Sequence, residues 1–177
     1  MVLDTCNLMS LSVRGINNFR KRRMIFTWCQ KQKADLIFLQ ETHSKKDSER
    51  QWKNEWGGDM IMSHGSSNLC RVAILFKQGF DCTFLSKFEN PLGRYLILKA
   101  EIKDKLYVLI NIYAPNKDKD IITFPNNLRT ILQNENLGDE EDIIIGGDFN
   151  CPPNPSPDKK GGTMLPRKSV IETIDCL

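Results

Sequence analysis

Asp35-Leu36-Ile37-Phe38-Leu39-Gln40-Glu41 decides the fold class. Four apolar residues between polar ones are too short a run for a helix and fit a strand buried on both faces. Such a strand belongs to a layered α/β domain, and this one delivers a carboxylate, Glu41, at its C-terminal end. A second run does the same. Ile143-Ile144-Ile145 leads through Gly146-Gly147 to Asp148, a fully buried strand ending on an acid, with Asn150 two residues further on. Strand ends are where ligands of layered α/β domains bind.

Outward from these two strands the pattern alternates. Leu8 to Val13 reads as a strand that ends at the turn Arg14-Gly15-Ile16-Asn17-Asn18. A helix is expected from Arg20 to Lys33, with Met24, Ile25, Trp28 and Cys29 as its apolar stripe. A polar helix with Trp52 and Trp56 fills Lys46 to Trp56, and Gly57-Gly58 stops it. Strands are expected at Met60 to Ser63, Val72 to Phe76, Cys82 to Leu85, Tyr95 to Ile102 and Lys105 to Tyr113, the last two joined by the hairpin signal Lys103-Asp104. Ile121 to Asn136 reads as a helix with Phe124, Leu128, Ile131 and Leu132 on one face. Its Pro125 falls in the first turn, where proline is tolerated.

The stretch from Cys151 to Pro166 holds five of the eight prolines and reads as a loop. Ser169-Val170-Ile171-Glu172 then fits a capping box at the start of an apolar helix. A domain rarely ends by starting a helix that nothing afterwards supports. The chain is therefore expected to be a single domain, residues 1–177, truncated at its C-terminus.

Composition narrows the classes. The chain has 177 residues, 40% hydrophobic and 27% charged, which suits a globular domain and is too apolar for a disordered chain. No stretch approaches the roughly 18 apolar residues of a membrane span, and the N-terminus has no charged segment followed by an apolar one. The six cysteines stand at least 12 residues apart, without the short pairs of a zinc site. Reduced thiols and an intracellular protein are expected.

Glu41, Asp148 and Asn150 together suit a hard divalent cation such as Mg²⁺, which takes few protein ligands and keeps its waters for a phosphate. Each also has a plain structural alternative. Glu41 fits a solvated residue opening a loop, and Asp148 fits a turn or helix cap. An apolar run ending on aspartate also occurs in nucleotide triphosphatases, but no G-x-x-x-x-G-K-[ST] loop is present.

Three short words recur at strand ends, in order: Gln40-Glu41-Thr42-His43, Asn111-Ile112-Tyr113-Ala114-Pro115 and Gly147-Asp148-Phe149-Asn150. Together they resemble the endonuclease/exonuclease/phosphatase superfamily. The forms QETH and NIYAP, with Leu11-Ser12-Val13-Arg14-Gly15-Ile16 upstream, are similar to the endonuclease domain of LINE-type (non-LTR) retrotransposons. The likeness runs from about Leu8 to the end of the chain. It implies a two-sheet α/β sandwich with helices on the outer faces, four layers as in pancreatic deoxyribonuclease, with the last strands missing.

By that resemblance Glu41 is the principal Mg²⁺ ligand, with Mn²⁺ as the substitute ion. Asp148 orients or deprotonates the attacking water or touches the metal. Asn150 hydrogen-bonds a phosphate oxygen, Tyr113 contacts the scissile phosphate, and Asn111 supports the site or binds substrate. The implied reaction is in-line hydrolysis of a phosphodiester in duplex DNA. Implied with it are a reverse transcriptase domain as partner in a longer chain, a monomer without membrane contact, and a nuclear location if active.

Departures from the family pattern point the other way. Ser12 stands where asparagine is usual, a degenerate site position, and Arg71 stands where a glycine usually opens the strand. The second metal-side aspartate and the aspartate–histidine pair of the family do not follow Leu177. His43 and His64 are expected on the surface. The alternatives are therefore a degenerate retroelement fragment that binds nucleic acid without turnover, or an abasic-site nuclease or phosphatase of the same superfamily. Net charge is +3, yet seven basic and two acidic residues lie between Met1 and Asp35. Arg20, Lys21, Arg22 and Arg23 are the candidate DNA contacts, although a solvated helix start reads the same way.

Overall fold

A computed structural model of the protein describes residues 6–66, 71–115, 118–137 and 140–150, without the side chains of 118–123 and 125. The proline-rich stretch from Cys151 and the capping box at Ser169 lie outside the described residues. The elements run β1 (Leu8–Ser12), α1 (Phe19–Lys31), β2 (Leu36–Gln40), a 3₁₀ turn (Lys46–Ser48), α2 (Glu49–Trp56), β3 (Met60–Met62), β4 (Ala73–Phe76), β5 (Cys82–Glu89), β6 (Tyr95–Ile102), β7 (Lys105–Tyr113), α3 (Asp118–Asn134) and β8 (Asp142–Asp148). Two four-stranded sheets result, in the orders β1-β2-β4-β3 and β5-β6-β7-β8. β1 with β2 and β7 with β8 are parallel; the remaining neighbours are antiparallel.

Period-two burial sorts the strands into layers. Leu36 and Phe38 of β2 meet Leu96, Leu98 and Leu109 of the other sheet in the inter-sheet core. Ile37 and Leu39 point the opposite way, against Phe26 and Cys29 of α1 and Trp52 and Trp56 of α2. Phe124, Leu128 and Leu132 of α3 cover the far face, on Ile97, Val108 and Ile110. The order is helix, sheet, sheet, helix, an α/β sandwich of four layers.

Glycine decides one contact between the sheets. A Cβ on Gly146 would lie 2.8 Å from the Phe38 ring, so only hydrogen at that position lets β8 approach β2 this closely.

Three expectations are corrected. In α1 the buried side chains are Arg22, Phe26 and Cys29, whereas Met24 and Trp28 are 72% and 45% exposed. The inward face is one position out of phase with the expected stripe, on the line of Phe26 and Cys29, and an arginine occupies part of it. Arg22 forks onto Glu55 of α2 through Nε (2.6 Å) and its terminal nitrogen (2.8 Å), and also donates to the carbonyls of Ile16 and Asn17. Ile143 to Ile145 are half-buried, not fully buried, because β8 is an edge strand among the described residues. His64 is no surface residue. Its ring Nε2 sits 2.8 Å from Glu49, and its side chain is 13% exposed.

Candidate active site

The C-terminal ends of β1, β2, β7 and β8 converge at one end of the sandwich, two from each sheet. The pairing Ser12↔Gln40 brings β1 and β2 to the mouth together, and Tyr113↔Asp148 does so for β7 and β8. A polar strut holds the two sheets in phase. Asn111 is fully buried. Its amide oxygen accepts from Gln40 Nε2 at 2.7 Å, and its Nδ2 donates to the carbonyls of Leu39 (3.0 Å) and Ala73 (2.8 Å). Both donors of the Asn111 side chain are used inside the core, leaving none for substrate contact, one of its two expected roles.

Beyond Gln40 the backbone turns sharply. Glu41 has φ +54° and His43 φ +55°, left-handed values that cost side-chain-bearing residues about 1 kcal/mol or more each. Hydrogen bonds on both sides hold the kink. The Gly15 amide donates to the Glu41 carbonyl at 2.6 Å, and the Thr42 amide donates to the Arg71 carbonyl at 2.9 Å. Gly15 is itself required here: at φ +74°, a Cβ would sit 2.6 Å from Nδ1 of His43. The kink turns the Glu41 side chain toward β1, where the Ser12 hydroxyl donates to Glu41 Oε1 at 3.0 Å. Ser12 thus engages the carboxylate despite being shorter than asparagine. Arg71 is accommodated as well, buried with its Nε donating to the Gly65 carbonyl at 3.3 Å.

On the other sheet, Asp148 Oδ1 accepts from the backbone N–H of Asn150 at 3.1 Å. Asn150, another left-handed residue at φ +49°, donates through Nδ2 to the Ala114 carbonyl at 2.6 Å. The ends of β7 and β8 are thereby tied, with Tyr113, Asp148 and Asn150 around the opening. Arg94, not singled out from the sequence, borders the same place. Its guanidinium carbon is 5.9 Å from the centroid of the Tyr113 ring, and its carbonyl accepts from the Tyr113 amide at 2.7 Å. One terminal nitrogen of Arg94 is buried without a hydrogen-bond partner among the described residues.

The basic block divides. Arg22 is consumed by Glu55 and leaves the list of DNA contacts. Lys21 Nζ donates to the Arg14 carbonyl at 2.9 Å. Arg20 and Arg23 are exposed on the outer face of α1.

The sequence profile of the Endonuclease/Exonuclease/phosphatase family matches residues 5–166. The chain belongs to that family. A relative 30% identical over 144 residues, 81% of this chain, is the uncharacterized 149 kDa protein of transposon TX1 from Xenopus laevis, and the chain spans 11% of its length. Among solved structures, the mannosyl-6-phosphatase of Bacteroides thetaiotaomicron superposes with a TM-score of 0.67 at 16% identity, over 83% of this chain and 66% of that one. An AP endonuclease from Archaeoglobus fulgidus gives 0.60 at 20% identity, over 84% and 58%. These two likenesses are of fold, and they agree with the sandwich described above. The transposon relative agrees with the retroelement branch that QETH and NIYAP resemble.

Proposed function

We propose that this chain hydrolyses phosphodiester bonds of DNA in a reaction dependent on a divalent cation, nicking one strand of a duplex. The observation that carries the reading is the mouth itself. Two carboxylates, an amide and a tyrosine lie there at the ends of three strands, β2, β7 and β8, on a backbone bent into left-handed conformations at Glu41 and Asn150. The retroelement relative and the charge of α1 support DNA as the substrate.

The donor set fits Mg²⁺. Glu41, Asp148 and Asn150 offer only oxygen ligands and few of them. Mg²⁺ takes few protein ligands and keeps much of its water. Glu41 would hold the ion with Asp148 beside it, and when bound the ion would supply positive charge to the phosphoryl oxygens. Asp148, oriented by the backbone N–H of Asn150, takes a proton from the water as the water oxygen attacks phosphorus, the bond to the leaving oxygen breaks, and that oxygen takes up a proton from solvent. Asn150 and Tyr113 hold the phosphate, and the second Nδ2 hydrogen of Asn150, held in position by the bond to Ala114, meets its added negative charge. Arg94 adds a fixed positive charge behind Tyr113.

Supercoiled plasmid tests the reading. The folded chain is expected to convert it to nicked circles in Mg²⁺ and not in EDTA, and Glu41→Gln or Asp148→Ala should each reduce the rate by about 10²-fold or more. A folded chain that leaves plasmid intact, or nicking that survives Glu41→Gln, overturns it.

A further inference from the structure

Helix α1 carries a charge pattern that the fold does not explain. Four cations crowd its first turns against the helix dipole, and no acidic residue on the helix offsets them. Glu55 uses Arg22, and the Arg14 carbonyl holds Lys21. Arg20 and Arg23 are exposed and make no hydrogen bond or ion pair among the described residues. With Thr27 and Lys31 they recur every three to four residues and so share the outward stripe of the helix. Flanking that stripe, Met24 and Trp28 on one side are 72% and 45% exposed, and Phe19 on the other is 51% exposed. These side chains line a shallow groove of about 660 Å³.

An exposed indole among arginines, with no carboxylate among the residues that line the groove, is the chemistry that holds a single nucleic-acid strand. Bases stack on the ring whatever their identity, and phosphates meet the cations. The stripe from Arg20 to Lys31 is about 17 Å long at 1.5 Å per residue, enough for several nucleotides. A protein partner fits less well. Stable protein interfaces use about 20–30 residues a side, and seven side chains line this groove.

We propose that the outer face of α1 binds single-stranded nucleic acid, with Trp28 as the stacking platform and Arg20, Arg23 and Lys31 on the phosphates. The surface lies outside the mouth but begins beside it. Asn17 donates to the His43 carbonyl at 2.7 Å and Lys21 to that of Arg14 at 2.9 Å, tying the start of α1 to the loops after β1 and β2. If the proposed nicking holds, a strand freed at the mouth meets Phe19 and Arg20 first. The binding itself needs no cleavage.

Trp28 gives a direct signal, because Trp52 and Trp56 are only 2% and 4% exposed. The whole chain is titrated in EDTA with an oligothymidylate of about twelve nucleotides, within the usual site sizes of single-strand binders. The tryptophan fluorescence should be quenched saturably, less so as salt is raised. Arg20→Glu combined with Arg23→Glu should weaken binding by about tenfold or more. Trp28→Ala, followed through the anisotropy of a labelled oligonucleotide, should weaken it by about fivefold or more. All three side chains are exposed, and circular dichroism confirms folding of each variant.

The absence of quenching, or quenching that the arginine reversals leave unchanged, overturns the proposal. So does binding that Glu41→Gln with Asp148→Ala abolishes, which would place the strand in the mouth. Self-association relieved by Met24→Glu, with no response to oligonucleotide, would make the stripe a protein-docking face instead. Plasmid nicking without oligonucleotide binding sinks this inference alone, and binding without nicking sinks only the proposed hydrolysis.

Discussion

Glu41 shows how a single residue is set against its own backbone. A left-handed backbone suits glycine better than any side chain with a Cβ. Both Glu41→Gly and Glu41→Ala remove the carboxylate, but the glycine variant should be the more stable of the two by about 1 kcal/mol in urea unfolding. Equal stabilities would mean that the kink is not strained. The Ser12 hydroxyl donates to the same carboxylate at 3.0 Å, a bond to a charged acceptor. Ser12→Ala is expected to weaken Mg²⁺ binding, followed by calorimetry, by about tenfold, with little effect on stability at so exposed a position. Unchanged affinity would make the serine the degenerate position that its departure from the family pattern suggests.

At the scale of elements, the packing of α1 on α2 rests on Arg22 and Glu55. The guanidinium also lies over the Trp52 ring, 4.9 Å from its centroid, and its fork onto Glu55 holds that carboxyl below its usual value of 4.5. A depressed carboxyl contributes stability that is present above pH 4.5 and is lost as pH falls through the folded-state value. Arg22→Met should cost about 2–3 kcal/mol at neutral pH. It should also flatten the loss of stability below about pH 4.5 that the parent chain shows in urea titrations. A parent-like acid profile in Arg22→Met would remove the pair from the account. The sequence places four cations in a row but cannot say which one turns inward. That choice follows from the phase of α1 on its sheet, which Phe26 and Cys29 fix.

For the whole molecule, the decisive bonds cross between sheets. Replacing Asn111 by Leu would remove one hydrogen bond from the Gln40 amide, which keeps Ser10 Oγ at 3.1 Å, and one each from the carbonyls of Leu39 and Ala73, all inside an apolar core. Each of these three bonds is worth about 1 kcal/mol, so Asn111→Leu should lose about 3 kcal/mol. At 2–4 °C per kcal/mol for a chain of this size, melting should fall by roughly 6–12 °C. The same substitution should reduce plasmid nicking beyond what lost stability explains, when assayed well below the melting temperature, because the strut aligns Glu41 with Tyr113 and Asp148. Nicking that stays at the parent rate in the folded Asn111→Leu chain would show that the mouth aligns without it.

Much of this architecture is legible in the order of residues. Apolar runs ending on Glu41 and Asp148 mark the two strands that carry the acids, and the words QETH, NIYAP and GDFN mark their family. Even Arg94 could have been found. A hairpin turning on Lys103-Asp104 pairs residues symmetrically about that turn, which sets residue 94 opposite 113. Tertiary structure alone decided the rest. Asn111 enters the site through the resemblance of NIYAP to the family pattern, and only the facing sheet reveals that its amide is spent inside the core. Met24 and Trp28 read as core because a short helix offers several apolar stripes of similar strength. The one that is buried is selected by the neighbours it meets, here the sheet and α2 beneath Phe26 and Cys29. Local patterns therefore determine which elements form and where their acids emerge, while burial, partnering and the left-handed turn at Glu41 depend on groups distant in the chain.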